Sequence, residues 1–153
     1  MSNKVASSWL ALCVLAALQC ACSSTALLPP QVQLVGLSVL QPSQRFRVSL
    51  LLRNPNTEAV PIEELRFSVR LGGEGLLDGT TTAPLTLPAQ GQETLRLDVD
   101  GTLVSSVSRL IAIAQGPQSA LPYEIVGDVT LNRKKTFSFN SGGQVPFSTT
   151  ADR

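Results

Sequence analysis

The stretch R-F-R-V-S-L-L-L-R-N-P-N, from Arg45 to Asn56, decides the fold of this chain. Up to residue 52, apolar residues alternate at period two with residues that are mainly arginine and serine. Such alternation predicts a β-strand with one face in a core and the other toward water. Asn54-Pro55-Asn56 then ends the strand, because proline has no N–H for a ladder and asparagine side chains bond the local backbone in turns. We interpret the tripeptide as a structural turn rather than a contact site.

Composition limits the classes of function open to the chain. Its 153 residues include 12 Lys+Arg, 11 Asp+Glu and no histidine. Nucleic-acid-binding proteins usually carry a basic excess on one face, which this balance does not provide. Histidine is the commonest general base and a leading metal ligand, and its absence argues against both roles. We therefore expect no cofactor, no metal and no nucleic-acid partner.

Residues 1–21 have the pattern of a signal peptide. Lys4 precedes an apolar run of ten residues, Trp9 to Leu18, and polarity returns at Gln19. Ten helical residues span about 15 Å, which is too short for the bilayer's hydrocarbon core of about 30 Å. A positive start and a short apolar run are typical of secretory signals.

The sequence after this run, L-Q-C-A-C-S-S, resembles the lipobox of bacterial lipoproteins. In that family a cysteine preceded by a small residue is acylated, so Cys22 after Ala21 fits better than Cys20 after Gln19. Gln19 departs from the leucine that is usual in the family. The resemblance implies a stable lipid anchor at Cys22, and Ser23 in place of aspartate favours the periplasmic side of the outer membrane. The alternative is an ordinary signal peptide with incidental cysteines.

The remaining chain is predicted to form one domain. Residues 22–30 are interpreted as a lipidated N-terminus and tether, residues 31–148 as the domain and residues 149–153 as a C-terminal tail. All three cysteines lie within the first 22 residues, so the domain is expected to contain no disulfide. We expect a monomer.

Alternating apolar residues predict about seven short strands. These occupy residues 31–40, 45–53, 60–71, 76–82, 94–100, 123–131 and 136–139, with a strand end and turn at 85–91 and a last short segment after Gly142-Gly143. The apolar phase changes beside Gly36, which predicts a β-bulge. Residues 103–114 change to helical spacing, with Thr102 as the N-cap. The sequence predicts a mainly β fold, an antiparallel β-sandwich with one short helix.

Four fragments of the chain carry a family resemblance: P-Q-V-Q-L-V-G-L at 30–37, N-P-N at 54–56, P-I-E-E-L at 61–65 and L-P-A-Q-G-Q-E-T at 87–94. They are similar to the late embryogenesis abundant group 2 family, whose core is called the water-stress and hypersensitive-response (WHy) domain. The similarity extends over about residues 29–147. It implies an immunoglobulin-like or fibronectin-III-like sandwich, an association with desiccation and stress, and no catalytic residues or cofactor. Many bacterial members are lipoproteins.

Five arginines are predicted to point outward on two strands that we expect to be neighbours. They are Arg45, Arg47, Arg53, Arg66 and Arg70. Arginine grips phosphate and carboxylate well, so one interpretation is a face that binds an anionic lipid or an acidic envelope protein. The other interpretation, which we favour, is a solvated sheet face with acidic neighbours.

No catalytic site is predicted. Adjacent Glu63 and Glu64 face opposite sides of a strand, and Asp98 and Asp100 lack the further oxygen ligands that Ca²⁺ requires. The serines of the predicted helix, Ser105, Ser106 and Ser108, have no base to activate them. Three hypotheses follow: a lipid-anchored protein with a stress-related structural or protective role, an envelope binding module that uses the arginines, and an enzyme. The first is favoured and the third disfavoured.

Overall fold

The computed structural model describes residues 26–41, 45–72, 74–100, 120–132 and 135–151. The regular structure within these ranges consists of eight β-strands. They are β1 (Gln31–Gln41), β2 (Arg45–Arg53), β3 (Val60–Leu71), β4 (Glu74–Thr81), β5 (Leu85–Leu87), β6 (Gln92–Asp100), β7 (Ala120–Leu131) and β8 (Lys135–Ala151). The prediction of a mainly β fold is confirmed. The predicted helix over residues 103–114 lies outside the described residues, as do the signal peptide and Cys22.

Burial along β2 follows the alternation in its sequence. Every second side chain is completely buried, and the four are Phe46, Val48, Leu50 and Leu52. The residues between them are exposed or half-buried. The core therefore lies on one side of β2, as the period-two pattern predicts.

The predicted bulge in β1 is confirmed. The register of β1 against β2 shifts between Leu34 and Gly36. Leu34 is buried before the shift and Leu37 after it, while Val35 is left 38% exposed. One extra residue thus turns both apolar phases of the strand toward the core.

The strands pair in the order β4-β3-β7-β8-β1-β2-β6, and β5 pairs with β3. All these pairs are antiparallel except β1–β8, which is parallel. The end strands β4 and β6 also come into contact, so the sheet curves into a nearly closed barrel. The predicted antiparallel sandwich of immunoglobulin or fibronectin-III type is therefore not what this mixed sheet forms.

The difference arises chiefly from β8. We predicted a break at Gly142-Gly143, but β8 continues through both glycines for 17 residues. It pairs with β7 up to Pro146 and with β1 from Phe147 onward, so it joins what would be two sheets into one. The glycines accommodate a close neighbour: a Cβ on Gly143 would lie 3.3 Å from Cε1 of Tyr123 on β7. Glycine in a strand commonly marks such a close approach as well as a turn.

Candidate functional site

A buried polar cluster, which we call the asparagine corner, lies where β2 ends. It consists of Asn54 and Asn56 and the backbone groups that they bind. Asn54 is 1% exposed and Asn56 is 9% exposed. Buried polar groups are costly unless they are hydrogen-bonded, so these two side chains need partners.

Asn54 joins two segments of the chain that are distant in sequence. Its Nδ2 donates to the carbonyl of Glu58 at 2.8 Å and to the carbonyl of Pro88 at 2.9 Å. Its Oδ1 accepts from both the backbone N and the side-chain Nδ2 of Asn56, each at 2.9 Å. Its own backbone N donates to the carbonyl of Gly91 at 2.9 Å. The side chain thus fixes the β2–β3 loop against the turn between β5 and β6.

Asn56 holds the N-terminal segment. Its Nδ2 donates to the carbonyl of Leu28 at 2.9 Å, and its Oδ1 accepts from the backbone N of Leu28 at 2.8 Å. Its carbonyl accepts from the backbone N of Gln90 at 2.8 Å, and Gln90 has a φ of 50° in this turn. Asn56 therefore binds Leu28 as a neighbouring strand would, with one donor and one acceptor.

The asparagine corner leaves nothing for a ligand to bind. In the described part of the chain, every buried side-chain nitrogen and oxygen has a hydrogen-bond partner. The interpretation of Asn54-Pro55-Asn56 as a structural turn fits this geometry. The sequence did not predict that the turn at 87–91 and the segment before β1 would supply its partners.

The arginines of β2 form a paired surface with the neighbouring strand β6. Arg45 Nε donates to Asp100 Oδ1 at 2.9 Å. Arg47 donates two hydrogen bonds to Asp98, from Nε to Oδ1 at 2.8 Å and from Nη2 to Oδ2 at 2.9 Å. The hydrogen bond from Arg47 lowers the pKa of the Asp98 carboxyl below its ordinary value. We call this exposed set the β2–β6 ion pairs.

The five predicted arginines do not form one face. β2 and β3 are not neighbours in the sheet, because β7, β8 and β1 lie between them, so the expectation of adjacent strands was wrong. Arg66 on β3 is exposed and donates to Glu64 at 2.8 Å. Arg70 is exposed on the same strand, and Arg53 donates to Gln92 Oε1 over a long 3.4 Å. Three of the five are thus engaged by carboxylates of this chain.

The acidic residues do not form a metal centre in the described ranges. No group of three or more His, Cys, Asp or Glu side chains able to hold a metal ion occurs there. Asp98 and Asp100 pair with arginines, and Glu64 pairs with Arg66. The helix serines lie outside the described residues.

An open cleft of about 640 Å³ lies beside the asparagine corner. One wall comes from the start of β1, Gln31–Gln33, and the facing wall from β8, Ser138–Ser141. Pro29, Pro55 and Arg53 lie among its other lining residues. Sequence reasoning missed this site, because no local pattern states where two strands separate.

Comparison with known families identifies the class of protein. The model of the late embryogenesis abundant protein family (LEA_2) matches residues 49–144, more than half of the chain. The chain belongs to this family. No curated protein matches it by sequence.

Solved structures resemble this chain at low sequence identity. A solution structure from Arabidopsis thaliana has a TM-score of 0.57 and 20% identity and covers 85% of this chain and 89% of that chain. The solution structure of a putative late embryogenesis abundant protein has 15% identity and a TM-score of 0.49, covering 78% and 72%. A crystal structure from Archaeoglobus fulgidus has 16% identity and a TM-score of 0.44, covering 79% and 97%. We draw on the first of these for the fold alone.

Family membership supports a stress- or desiccation-related role without catalysis in general terms.

In the described part of the chain, no helix has the length and apolar character needed to span a bilayer.

Proposed function

We propose that the protein is a lipid-anchored component of a bacterial envelope, with a WHy-like domain that has a structural or protective role in stress. The lipobox-like sequence at Cys22 supports the anchor, and family membership supports the role. The main support for this anchored arrangement is the pair of hydrogen bonds by which Asn56 holds the backbone of Leu28. Leu28 lies six positions after Cys22, a reach of at most about 22 Å when the chain is extended.

This short reach orients the domain. A lipid at Cys22 would hold the asparagine corner, and with it the ends of β2 and β5, close to the membrane surface. The opposite end of the barrel would then face the periplasm. Three acyl chains exceed the two lipid signals that suffice for stable anchoring, so we propose a permanent attachment to the outer membrane.

The exposed surface supports a protective role more than a catalytic one. Arginine and aspartate neutralise each other on β2 and β6, and the chain after residue 21 carries 11 Lys+Arg and 11 Asp+Glu, because Lys4 is removed with the signal. A surface with balanced, interspersed charges stays hydrated and lacks a large field of one sign.

A drying experiment tests the protective role. A labile reporter enzyme is dried or freeze–thawed with the protein from residue 23 onward, and with an unrelated β-sandwich protein at equal mass. We expect the reporter to retain clearly more activity with this protein than with the control. Equal recovery with the two proteins would contradict the protective role.

Fractionation of bacterial cells tests the anchor separately. Cys22→Ala is expected to abolish lipidation and to release the protein from the outer membrane, whereas Cys20→Ala is expected to leave it there. Mass spectrometry of the N-terminal peptide would locate the lipid. Retention of the Cys22→Ala protein in the outer membrane with an unmodified N-terminus would contradict the assignment of Cys22 as the lipid attachment site.

The second candidate is an envelope binding module. The ion pairs argue against the arginines as its binding surface, because Arg45, Arg47 and Arg66 are each paired with a carboxylate of this chain. The observation in favour of binding is instead the cleft between β1 and β8.

A further inference from the structure

β1 and β8 pair along only part of their length. The parallel ladder joins Leu37–Gln41 to Phe147–Ala151. Before this ladder, in the described part of the chain, residues 31–36 of β1 pair only with β2, and residues 135–146 of β8 pair only with β7. Each of these stretches therefore has one edge on which backbone N–H and C=O groups have no strand partner among the residues that the structure describes.

The two unpaired edges face the same cavity. Gln31–Gln33 from one edge and Ser138–Ser141 from the other line the cleft of about 640 Å³. An open strand edge is a ready template for another extended chain, and proteins use such edges to bind peptides by strand addition. The volume lies within the usual range of ligand-binding clefts.

We propose that this cleft binds an extended, acidic peptide segment of another protein, which adds as a strand between β1 and β8. A polypeptide fits better than a small molecule, because both walls present the regularly spaced donors and acceptors of a strand. Since β1 and β8 run parallel, the guest strand runs either parallel to both or antiparallel to both. Pro29 and Pro30 precede β1 and lack backbone N–H groups, which limits the β1 ladder to about the six residues 31–36.

The charge of the cleft is the reason for proposing an acidic guest peptide. Arg53 is the charged residue among the cleft's described lining residues, and no carboxylate accompanies it there. Its hydrogen bond to Gln92 is long, at 3.4 Å, and exposed, so the guanidinium is available to a stronger acceptor. A glutamate, an aspartate or a C-terminal carboxylate of the guest meets this requirement. The inference deepens the second candidate, an envelope binding module, and depends on neither the lipid anchor nor stress protection.

Fluorescence polarisation with the full chain tests the proposal. The probe is a labelled heptapeptide of alternating valine and threonine with one central glutamate, and its partner has lysine in that place. We expect saturable binding of the glutamate peptide and binding at least about ten times weaker for the lysine peptide. Arg53→Glu should reverse this preference, and Arg70→Glu, an exposed change on β3, should leave it unchanged. Circular dichroism verifies that both variants fold.

Backbone pairing is tested independently of charge. Methylation of alternate backbone nitrogens in the glutamate peptide removes the donors along one edge and should abolish binding. Amide hydrogen exchange should slow within residues 31–36 and 135–146 when the unmodified peptide binds. Absence of saturable binding up to 1 mM peptide, binding that tolerates methylation, or protection confined to other strands would each overturn the proposal.

Discussion

The asparagine corner and the β2–β6 ion pairs are built from similar bonds in different surroundings. Asn54 bonds at 2.8 to 2.9 Å and Arg47 does the same. The side chain of Arg47 is 40% exposed, however, and Asn54 is 1% exposed. Water can replace a lost partner at the ion pairs, but it has little access to the buried side chain of Asn54. Burial, rather than bond length, therefore decides which of the two regions stabilises the fold.

The two regions also differ in which parts of the chain they join. The corner holds together the segment before β1, the β2–β3 loop and the turn after β5, which are distant in sequence. The ion pairs join two strands that already share a continuous ladder. Loss of the corner should loosen one end of the barrel, whereas loss of an ion pair should leave the ladder intact.

The largest effect is expected for Asn54→Ala. The change leaves the buried amide of Asn56 and the partly buried carbonyls of Glu58 and Pro88 without their partner. We expect a loss of about 3 kcal/mol in the free energy of unfolding, measured by urea denaturation and circular dichroism. Asn140→Ala removes an exposed asparagine on β8 and should change stability by less than about 0.5 kcal/mol. Similar costs for the two variants would refute a structural role for the corner.

An intermediate effect is expected for Asn56→Ala. This change removes the two bonds to Leu28, and we expect a loss of about 2 kcal/mol. Hydrogen exchange at the Leu28 amide should become faster, because its acceptor is gone. Thr57→Ala, at the exposed neighbouring position, serves as the control. Unchanged exchange at Leu28 would show that other contacts hold the N-terminal segment.

The smallest effect is expected for Arg47→Leu. An exposed ion pair contributes about 0.2–1 kcal/mol, and added salt should reduce it further. Arg47 lowers the folded pKa of Asp98, so its stabilisation is present above the ordinary carboxyl pKa and is lost as the pH falls through the folded value. The variant should raise the pKa of Asp98, as followed by NMR titration of its carboxyl carbon.

The pH dependence gives a sharper contrast with the corner. The stability difference between the native protein and Arg47→Leu should shrink below about pH 4, whereas the cost of Asn54→Ala should not depend on Asp98 at all. A difference that persists in acid would show that Arg47 acts through the packing of its side-chain stem rather than through its charge.

Much of the strand plan could be predicted, because it is local. The alternation along β2 and β3 predicted which side chains are buried, and the phase change beside Gly36 predicted the bulge. The strand predicted at residues 76–82 corresponds to β4 (Glu74–Thr81), an end strand of the sheet. The break at Gly142-Gly143 was wrong, since glycines can signal either a turn or a close neighbour.

The candidate sites were less accessible to such reasoning. The arginines were predicted to point outward, but the carboxylates that engage Arg45 and Arg47 lie on β6, more than fifty residues away. The cleft depends on where β8 parts from β1, and only residues 37–41 of β1 take part in that pairing. Neither relation leaves a trace in a short window of sequence.

The sequence alone determined most of the strands, the bulge, the turn at Asn54-Pro55-Asn56 and the family, because these rest on side-chain periodicity and on the backbone preferences of single residues. The tertiary structure decided that β2 lies beside β6 rather than β3, that β8 joins β1 in parallel, and that the corner closes on Leu28. Period-two alternation predicts which face of a strand is buried, but it does not predict which strand lies beside it. Neighbours are selected by contacts between distant segments, which exist only once the chain has folded.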